Sequence, residues 1–368
     1  MPTSLRTALR ILALIGVLLL FFVSLELMGD AFKLMGRGFA ETLVNSTANP
    51  FVALFAGILA TSLVQSSSTV TALTVALVAS GTLDVAGAVP IMMGANIGTT
   101  VTNTIVSMGH IARKDEFKRA MASATVHDFF NWLAVIVLFP LELFFGILSK
   151  PAIWLTDGLT GLGGADLLSP LKLVTDPVAN TIIELLQSNG VAVLIVGLLM
   201  LFFALRYLVV LLKSMVLGKS EEFLHKYIFG SPLAAMACGL LITIMVQSSS
   251  VTTSIAVPLV GAGILTVRQI FPYMLGSNVG TTVTALLAAL SLAAGGEAAG
   301  EAGLTVAFVH LLFNLIGILL IYGIKPIREI PVRMAEWLGD LAYKNRVYAF
   351  VYLGILFFAL PLLLIAIT

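Results

Sequence analysis

Residues 50–80 of the chain read PFVALFAGILATSLVQSSSTVTALTVALVAS, two apolar arms separated by the polar tip Gln65-Ser66-Ser67-Ser68. Each arm is shorter than the roughly 20 apolar residues that a helix needs to cross a bilayer. A helix that enters the membrane, stops at the polar tip and returns fits this pattern, so we predict a re-entrant hairpin. Such a tip is tolerated at membrane depth only where protein buries it or where it lines a wet cavity.

Residues 232–264 repeat this pattern around a second tip, Gln247-Ser248-Ser249-Ser250, which lies 182 residues after the first. The same offset relates residues 90–102 to residues 272–284, two 13-residue segments that are identical at 9 positions and share Gly-x-Asn-x-Gly-Thr-Thr. Two polar pairs recur at an offset of 183: His127 with Asn131, and His310 with Asn314. An offset that stays this constant indicates an internal duplication.

The composition is that of an integral membrane protein. Of the 368 residues, 59% are hydrophobic and only 11% are charged, and the mean hydropathy is +1.07, so a single soluble core could not hide the apolar surface. The formal net charge of +1 gives no basic face for nucleic acid, and the lipid bilayer is the expected surrounding. One cysteine, Cys238, excludes an intramolecular disulfide and a multi-cysteine metal site.

Seven apolar runs are long enough to cross the bilayer: residues 8–28, 90–108, 124–148, 191–213, 270–292, 302–324 and 347–367. With the N-terminus in the cytoplasm, the cytoplasmic segments carry 15 of the 20 Lys and Arg residues and the outer segments carry 4, as the positive-inside rule requires. Three crossings separate the two tips. The hairpins should therefore enter from opposite sides of the membrane, which makes the repeats inverted.

We therefore predict an all-α polytopic membrane protein with two inverted repeats, each holding a re-entrant hairpin and a broken helix, as in secondary transporters. The predicted parts are a first repeat at 1–148 (hairpin 50–80, broken helix 90–108), an extracytoplasmic linker at 149–190, a second repeat at 191–324 (hairpin 232–264, broken helix 270–292), and an interface helix with the last transmembrane helix at 325–368. Rocking one repeat against the other would separate two tips that share a site. We therefore expect an elevator-like motion, with both hairpins and both broken helices moving against a scaffold of the remaining helices.

The tips carry the chemistry of ion binding. Each offers one amide and three hydroxyls. Sodium takes hydroxyl, amide and carbonyl oxygens, whereas an anion takes the N–H donors at helix N-termini. No Lys or Arg lies at either tip, so the positive charge that offsets an anion must come from solution. This favours a sodium-coupled anion carrier, and no relay of buried carboxylates favours proton coupling.

Several of these residues also have a structural interpretation. Ser and Thr in membrane helices commonly pack or bridge helices, although two matching tips with so many donors would be costly to bury unpaired. Gly94 and Gly98 fit close helix packing as well as they fit helix unwinding. We expect His127 and His310 to be structural, each bonding the asparagine one turn along its own helix.

The paired Gln-Ser-Ser-Ser tips, each followed by Gly-x-Asn-x-Gly-Thr-Thr-Val-Thr, resemble the type II sodium–phosphate cotransporter family, and so does the stretch DEFKRAMASATVHDFFNW at residues 115–132. The resemblance covers nearly the whole chain and implies sodium-driven symport of inorganic phosphate. It implies phosphate-binding residues at both tips: Gln65, Ser66, Ser67, Ser68, Gln247, Ser248, Ser249 and Ser250. It points to sodium ligands in the repeated motif, Asn96, Ser277, Asn278, Thr281 and Thr284, and the neighbouring hydroxyls Thr99, Thr100 and Thr282 complete the predicted sodium set.

The chain departs from the family pattern in two ways. Animal members have a large disulfide-bonded outer loop between the repeats, where this chain has about 40 residues without cysteine, and many bacterial relatives add a soluble regulatory domain that is missing here. We therefore expect a compact bacterial transporter core in the plasma membrane. A homo-oligomer is compatible with the sequence.

Asp84, after the first hairpin, is our candidate for an extra sodium ligand or a charge-coupling carboxylate, because intramembrane carboxylates rarely lack a function. An aspartate in a short surface turn is the alternative interpretation.

Two other functional classes stay open. A sodium-coupled carrier of a dicarboxylate or of sulfate would share the hairpins and the inversion, and competition between substrates would distinguish it. An intramembrane enzyme would need a nucleophile beside a base, and Ser66 has no His or Asp near it in sequence. We predict that the chain is not an enzyme, because alternating access calls for two-fold pseudo-symmetry and a catalytic site does not.

Overall fold

The computed structural model describes residues 3–161, 169–216, 229–293 and 298–367, and within these ranges the regular structure is entirely helical. The predicted all-α class is confirmed. The helices are Thr3–Thr47, Pro50–Val64, Ser67–Ala79, Val85–Gly98, Thr100–Ser107, Lys114–Phe145, Ser149–Gly161, Ser169–Leu185, Gly190–Val216, Pro232–Val246, Ser249–Gly261, Val267–Ala293, Ala298–Gly317, Lys325–Lys344, Val347–Gly354 and Leu360–Ile367, with a 3₁₀ turn at Met108–His110 and π turns at Ile318–Tyr322 and Ile355–Ala359.

Six of the described helices are long and apolar enough to cross a membrane: Leu12–Met35, Val85–His110, Lys114–Phe145, Val267–Ala293, Gly300–Tyr322 and Val347–Ile367. They match six of the seven predicted crossings. The remaining run, residues 191–213, lies in the helix Gly190–Val216, whose described apolar part is Gly190–Leu201. The last helix is buried over only 11% of its most apolar window, so its apolar side chains face outward, as a lipid-facing helix requires.

Both predicted hairpins form as two antiparallel helices joined at the polar tip. The first pairs Pro50–Val64 with Ser67–Ala79, and the second pairs Pro232–Val246 with Ser249–Gly261. Each hairpin begins with a capping side chain, Asn49 or Ser231, that accepts a hydrogen bond from a backbone N–H, and with proline in the first turn, where no N–H is needed. In the rest of the text, the second helix of each hairpin is called its returning arm.

The repeated Gly-x-Asn-x-Gly-Thr-Thr segments lie on two long helices. The first motif helix, Val85–Ser107, is interrupted only at Thr99, whose φ of −58° and ψ of −31° are themselves helical. The second motif helix, Val267–Ala293, is continuous. The predicted breaks at 90–108 and 270–292 are therefore wrong, because the backbone of both segments keeps its helical conformation.

The motif glycines serve close packing instead. A Cβ at Gly94 would lie 2.0 Å from the carbonyl oxygen of Leu54, and a Cβ at Gly276 would lie 1.8 Å from that of Met236. The other glycines that touch a neighbouring backbone in the same way are Gly57, Gly98, Gly239 and Gly280. Each motif helix thus lies directly against the backbone of the first arm of its own hairpin. Of the two interpretations of Gly94 and Gly98, the structure supports packing, which small residues permit between membrane helices.

The two repeats interlock rather than stand side by side. The returning arm of the first hairpin packs against the second motif helix in an alanine-rich cluster that includes Ala72, Ala76, Ala285 and Ala289. The returning arm of the second hairpin reaches the first motif helix, where Thr253 donates a hydrogen bond to the Asn103 side chain at 2.9 Å. Two further helices cover the motif helices, Lys114–Phe145 and Ala298–Tyr322, and we call them the histidine helices.

The outer parts of the chain are helical as well. The predicted linker at 149–190 contains the helices Ser149–Gly161 and Ser169–Leu185, with residues 162–168 outside the described part. Ala179 of the second linker helix packs in a separate apolar cluster with Val23, Leu27, Ala31 and Val193. This cluster joins the N-terminal helix, the linker and Gly190–Val216 in one bundle at the side of the repeats.

The predicted interface helix is Lys325–Lys344. Its buried residues recur every three or four positions: Pro331, Val332, Ala335, Leu338, Gly339 and Ala342. Trp337, on the other face, is 60% exposed. The helix is therefore amphipathic, as predicted.

Candidate functional site

Each tip is a tight turn built from one glutamine and one serine. Gln65 and Gln247 have positive φ angles of 59° and 52°, and each ends the first arm of its hairpin. Ser66 and Ser248 are extended, and their hydroxyls accept a hydrogen bond from the backbone N–H three residues later. The glutamine reverses the chain and the serine caps the returning arm, which explains why these residue types recur in this order.

The two tips meet inside the protein. The Ser68 hydroxyl, at the start of one returning arm, donates a hydrogen bond to the backbone carbonyl oxygen of Gln247 at 3.2 Å. Ser67, Ser68, Ser249 and Ser250 are all buried. The structure therefore brings together residues that lie about half the chain apart in sequence.

The two glutamine side chains make equivalent hydrogen bonds. Gln65 Oε1 accepts from Thr102 at 2.9 Å, and Gln247 Oε1 accepts from Thr284 at 2.7 Å. Their Nε2 atoms donate to carbonyl oxygens of their own first arms. The sequence prediction included Thr284 but missed Thr102. The 182-residue offset would have identified Thr102, since it relates the two threonines just as it relates the two glutamines.

A cavity of about 330 Å³ lies where the first tip faces the second hairpin. Its lining residues are Gln65, Thr102, Ser248, Ser250, Val251, Ser254 and Ile255. Both tips contribute to this lining, which contains hydroxyls and an amide but no charged side chain. Any charge that enters this cavity must be balanced by another ligand from solution.

The two tips differ in access. Gln65 is exposed and Thr102 is partly exposed, whereas Gln247 and Thr284 are buried. The cavity therefore opens beside Gln65, and the equivalent side beside Gln247 is closed. Of the predicted phosphate residues, Gln65, Ser248 and Ser250 line the cavity, and Ser68 joins the tips.

Asn96 and Asn278, predicted as sodium ligands, form a polar bridge between the repeats. Asn278 Oδ1 is hydrogen-bonded to His127 Nε2, and Asn96 Oδ1 to His310 Nε2 at 3.0 Å. Asn278 Nδ2 donates to Asn131 Oδ1 at 2.9 Å. Each motif asparagine thus contacts the histidine helix of the other repeat. The expectation that each histidine bonds the asparagine on its own helix is wrong, since that partner lies across the pseudo-symmetric interface.

The other predicted sodium ligands mostly direct their hydroxyl protons to their own helices. Thr99, Thr100, Thr281 and Thr282 donate to backbone carbonyls three or four residues earlier. The Ser277 hydroxyl is paired with the Thr243 hydroxyl at 2.7 Å, one turn before the second tip. The lone pairs of these oxygens stay available for a cation, while only Thr284 contacts a tip side chain.

Asp84 is not brought to the site. It caps the first motif helix by accepting a hydrogen bond from the Gly87 backbone N–H at 2.8 Å, and its side chain is exposed. Asn96 lies 12 residues further along the same helix, about 18 Å away at the usual rise per residue. The structure supports the interpretation of a surface-turn aspartate.

Two buried residues near the site were missed. Asn103 accepts hydrogen bonds from Thr253 and Ser254 of the second hairpin. Asp128, next to His127, is fully buried and accepts a hydrogen bond from the Tyr352 hydroxyl. Neither has an equivalent in the other repeat, where Ala285 and Leu311 stand at these positions, so the repeat pattern could not point to them.

Known proteins with similar sequences share the repeated segments. A family model described as Na+/Pi-cotransporter matches residues 20–153 and 200–364, leaving the linker region between the two matched parts. Sodium-dependent phosphate transport protein 2B of Pongo abelii is 35% identical over 96% of this chain and 64% of its own length. Protein 2A of Rattus norvegicus is 35% identical over 98% of this chain and 68% of its own length.

The human protein 2B is 34% identical over 96% of this chain and 64% of its own length. The chain therefore spans about two thirds of the length of these relatives. No solved structure matches it significantly. The family model covers both hairpins, both motif helices and both histidine helices, and the chain belongs to the Na+/Pi-cotransporter family.

Proposed function

We propose that this protein is a sodium-coupled symporter of inorganic phosphate. The observation that carries the proposal is the single cavity lined by both tips, with hydroxyl and amide groups and no charged side chain. The relatives that match most of the chain are named as sodium-dependent phosphate transport proteins. The chemistry of the cavity agrees with that activity.

Phosphate would bind at the start of the returning arms. The first N–H groups of a helix have no intrahelical partner and carry a partial positive charge, which makes them anion donors. Ser66 and Ser248 cap only the N–H three residues later, which leaves the N–H groups of residues such as Ser67 and Ser249 for a ligand. The serine hydroxyls supply further donors.

Sodium would supply the charge that the cavity lacks. An anion in a site of low dielectric is poorly stabilised by neutral dipoles alone. The oxygen atoms of Thr102, Ser254 and the tip glutamines are ligands that a hard monovalent cation accepts. We therefore expect sodium to bind before phosphate, because without it the cavity holds no positive charge.

The topology that goes with this function places the protein in the plasma membrane of a bacterium with its N-terminus in the cytoplasm. The hairpins would then enter from opposite sides, as inverted repeats. The first motif helix runs toward the basic residues Arg113 and Lys114, and Thr102 lies near that end. The opening beside Gln65 would thus face the cytoplasm, as expected for the state that releases phosphate.

An elevator-like motion fits this arrangement once the moving unit is enlarged. The histidine helices were expected to belong to the scaffold, but their buried bonds to Asn96 and Asn278 would break if the motif helices moved past them. We therefore place the hairpins, motif helices and histidine helices in the moving unit. The scaffold is then the separate bundle of Thr3–Thr47, Ser169–Leu185 and Gly190–Val216.

The alanine-rich side of the moving unit supports this division. Small side chains such as Ala285 and Ala289 share a cluster with Phe21, Phe32 and Leu201 of the bundle. An interface of this kind has no buried hydrogen bonds to break when it slides. Vertical movement of the moving unit would then carry the intact site across the membrane.

Equilibrium binding of radiolabelled phosphate to the purified protein tests the function directly. Phosphate is titrated in sodium chloride and in choline chloride at equal ionic strength, with sulfate and a dicarboxylate as competitors. We expect phosphate affinity to fall at least tenfold in choline, and neither competitor to displace phosphate. Equal affinity in both salts would contradict the shared-site mechanism, and displacement by sulfate or by the dicarboxylate would identify a carrier of that anion instead.

A further inference from the structure

Asp128 is a buried carboxylate in the middle of the histidine helix Lys114–Phe145, one of the candidate membrane spans. No ion pair among the described residues includes it, and its Oδ2 accepts a hydrogen bond from the Tyr352 hydroxyl of the last helix. Its other oxygen, Oδ1, is buried and has no hydrogen-bond partner in the described part of the chain. This arrangement leaves a carboxylate oxygen unsatisfied inside the protein.

The nearest hydroxyl does not satisfy it. The Thr100 side chain of the first motif helix lies next to the carboxylate, but its hydroxyl donates to the Ile97 carbonyl oxygen at 2.8 Å. A threonine hydroxyl has one proton to donate. Two oxygen lone pairs, one from Thr100 and one from Asp128, are therefore held side by side without a positive charge between them.

Such a site is stable only if a cation completes it. Burying an ionised carboxylate costs several kcal/mol unless it is paired, and intramembrane carboxylates are usually partnered or functional. Carboxylate, threonine and tyrosine oxygens are hard ligands that suit a small hard cation. The cation must come from solution, because no described basic side chain reaches the site.

We propose that Asp128, Thr100 and Tyr352 bind a sodium ion, in a site that is separate from the cavity between the tips. The inference rests on the proposed function, since it assumes that the protein works in a sodium gradient. The site has no counterpart in the other repeat, where Leu311 stands at the position of Asp128. It is therefore a single, asymmetric site rather than a member of a symmetric pair.

The site has a consequence for coupling. Thr100 and Asp128 lie on two helices of the moving unit, so the bound ion would be carried with phosphate. Asp128→Asn removes both the fixed negative charge and the need for the ion. We expect the ratio of sodium to phosphate taken up to fall by one ion per phosphate, together with one positive charge per cycle.

The test measures two quantities on the same purified preparations. Uptake of ²²Na⁺ and ³²P-phosphate into proteoliposomes gives the transport ratio, and ²²Na⁺ binding to the detergent-solubilised protein without phosphate gives the number of sodium sites. Asp128→Asn should lower both by one ion. Asp115→Asn, an exposed carboxylate in the first turn of the same helix, is the matched control and should change neither.

The outcomes separate this inference from the proposed function. Loss of sodium-dependent uptake by the unmodified protein would contradict the proposed function itself. An unchanged sodium count in Asp128→Asn, with normal uptake by the unmodified protein, would overturn the inference alone. If Asp128→Asn does not fold, Thr100→Ala decides, because it keeps the carboxylate: we expect at least a fivefold weaker sodium affinity at one site, and unchanged affinity would overturn the inference.

Discussion

Gln65 and Gln247 each combine a backbone role with a side-chain role. Both adopt a left-handed conformation that lets the hairpin reverse, which is uncommon for residues other than glycine. Both hold a threonine hydroxyl with Oε1 and an arm carbonyl with Nε2. The side chain therefore fixes the orientation of each tip relative to its motif helix.

Replacement of either glutamine by alanine should abolish coupled uptake, although only Gln65 lines the open cavity. We expect Gln65→Ala and Gln247→Ala each to lower sodium-dependent phosphate uptake at least tenfold, since a lost hydrogen bond to an ionic ligand is worth about 1.5–3 kcal/mol. Uptake into proteoliposomes under a sodium gradient is the measurement.

Gln269→Ala is the control for these variants. Gln269 accepts hydrogen bonds from Thr266 at the start of the second motif helix and is exposed, so its loss should leave uptake near that of the unmodified protein. Full transport by either tip variant would show that the two tips do not serve one site.

At the scale of elements, the packing of motif helix on hairpin decides where the tips lie. The contact has no room for a side chain at Gly94 or Gly276. A methyl group at either position would push the first arm of the hairpin away from the motif helix. The tip at the end of that arm would move with it.

Gly94→Ala and Gly276→Ala should therefore destabilise the protein and impair uptake together. Overpacking of this kind costs about 1–3 kcal/mol or more, and the atom that must give way here is backbone rather than a flexible side chain. Thermal unfolding of the detergent-solubilised protein, followed by uptake of the folded fraction, measures both effects.

Gly354→Ala is the matched glycine in the last helix, where an added Cβ meets nothing within 4 Å. We expect it to be neutral or to stabilise the helix by up to about 1 kcal/mol. If Gly94→Ala and Gly276→Ala behave like Gly354→Ala, the arms are not held in close contact and the helix-unwinding interpretation regains support.

At the scale of the whole molecule, the polar bridge divides the protein into a moving unit and a scaffold. Two cysteine pairs in a Cys238→Ser background test this division. Ala79 and Gly303 face each other within the moving unit, with a Cβ at Gly303 lying 3.3 Å from the Ala79 Cβ. Thr47 and Gly87 face each other across the boundary, with a Cβ at Gly87 lying 3.3 Å from Thr47 Oγ1.

Oxidation of the Ala79→Cys/Gly303→Cys pair should leave sodium-dependent uptake intact, because both residues move together. Oxidation of the Thr47→Cys/Gly87→Cys pair should lower uptake at least tenfold, with recovery after reduction, because it ties the N-terminal helix to the first motif helix. The reverse pattern would place the histidine helices in the scaffold, and full uptake with both cross-links would exclude the elevator-like motion.

The sequence alone determined the membrane class, the helical hairpins and the residues at their tips. These features follow from local properties: apolar runs have a length that can be compared with the bilayer, and Gln-Ser-Ser-Ser interrupts a run wherever it occurs. The duplication was also visible, since a constant offset needs no structure. For the same reason Thr102 could have been found, because it follows from the offset and from Thr284.

Only the tertiary structure decided how these parts act on one another. The motif Gly-x-Asn-x-Gly has the same sequence whether its glycines unwind a helix or admit a neighbouring backbone, and the difference lies in what packs against Gly94 and Gly276. The partners of His127 and His310 lie on the other repeat, at separations that no local pattern records. Asp84 and Asp128 could not be ranked from sequence for the same reason: a carboxylate gains its role from burial and from the groups around it.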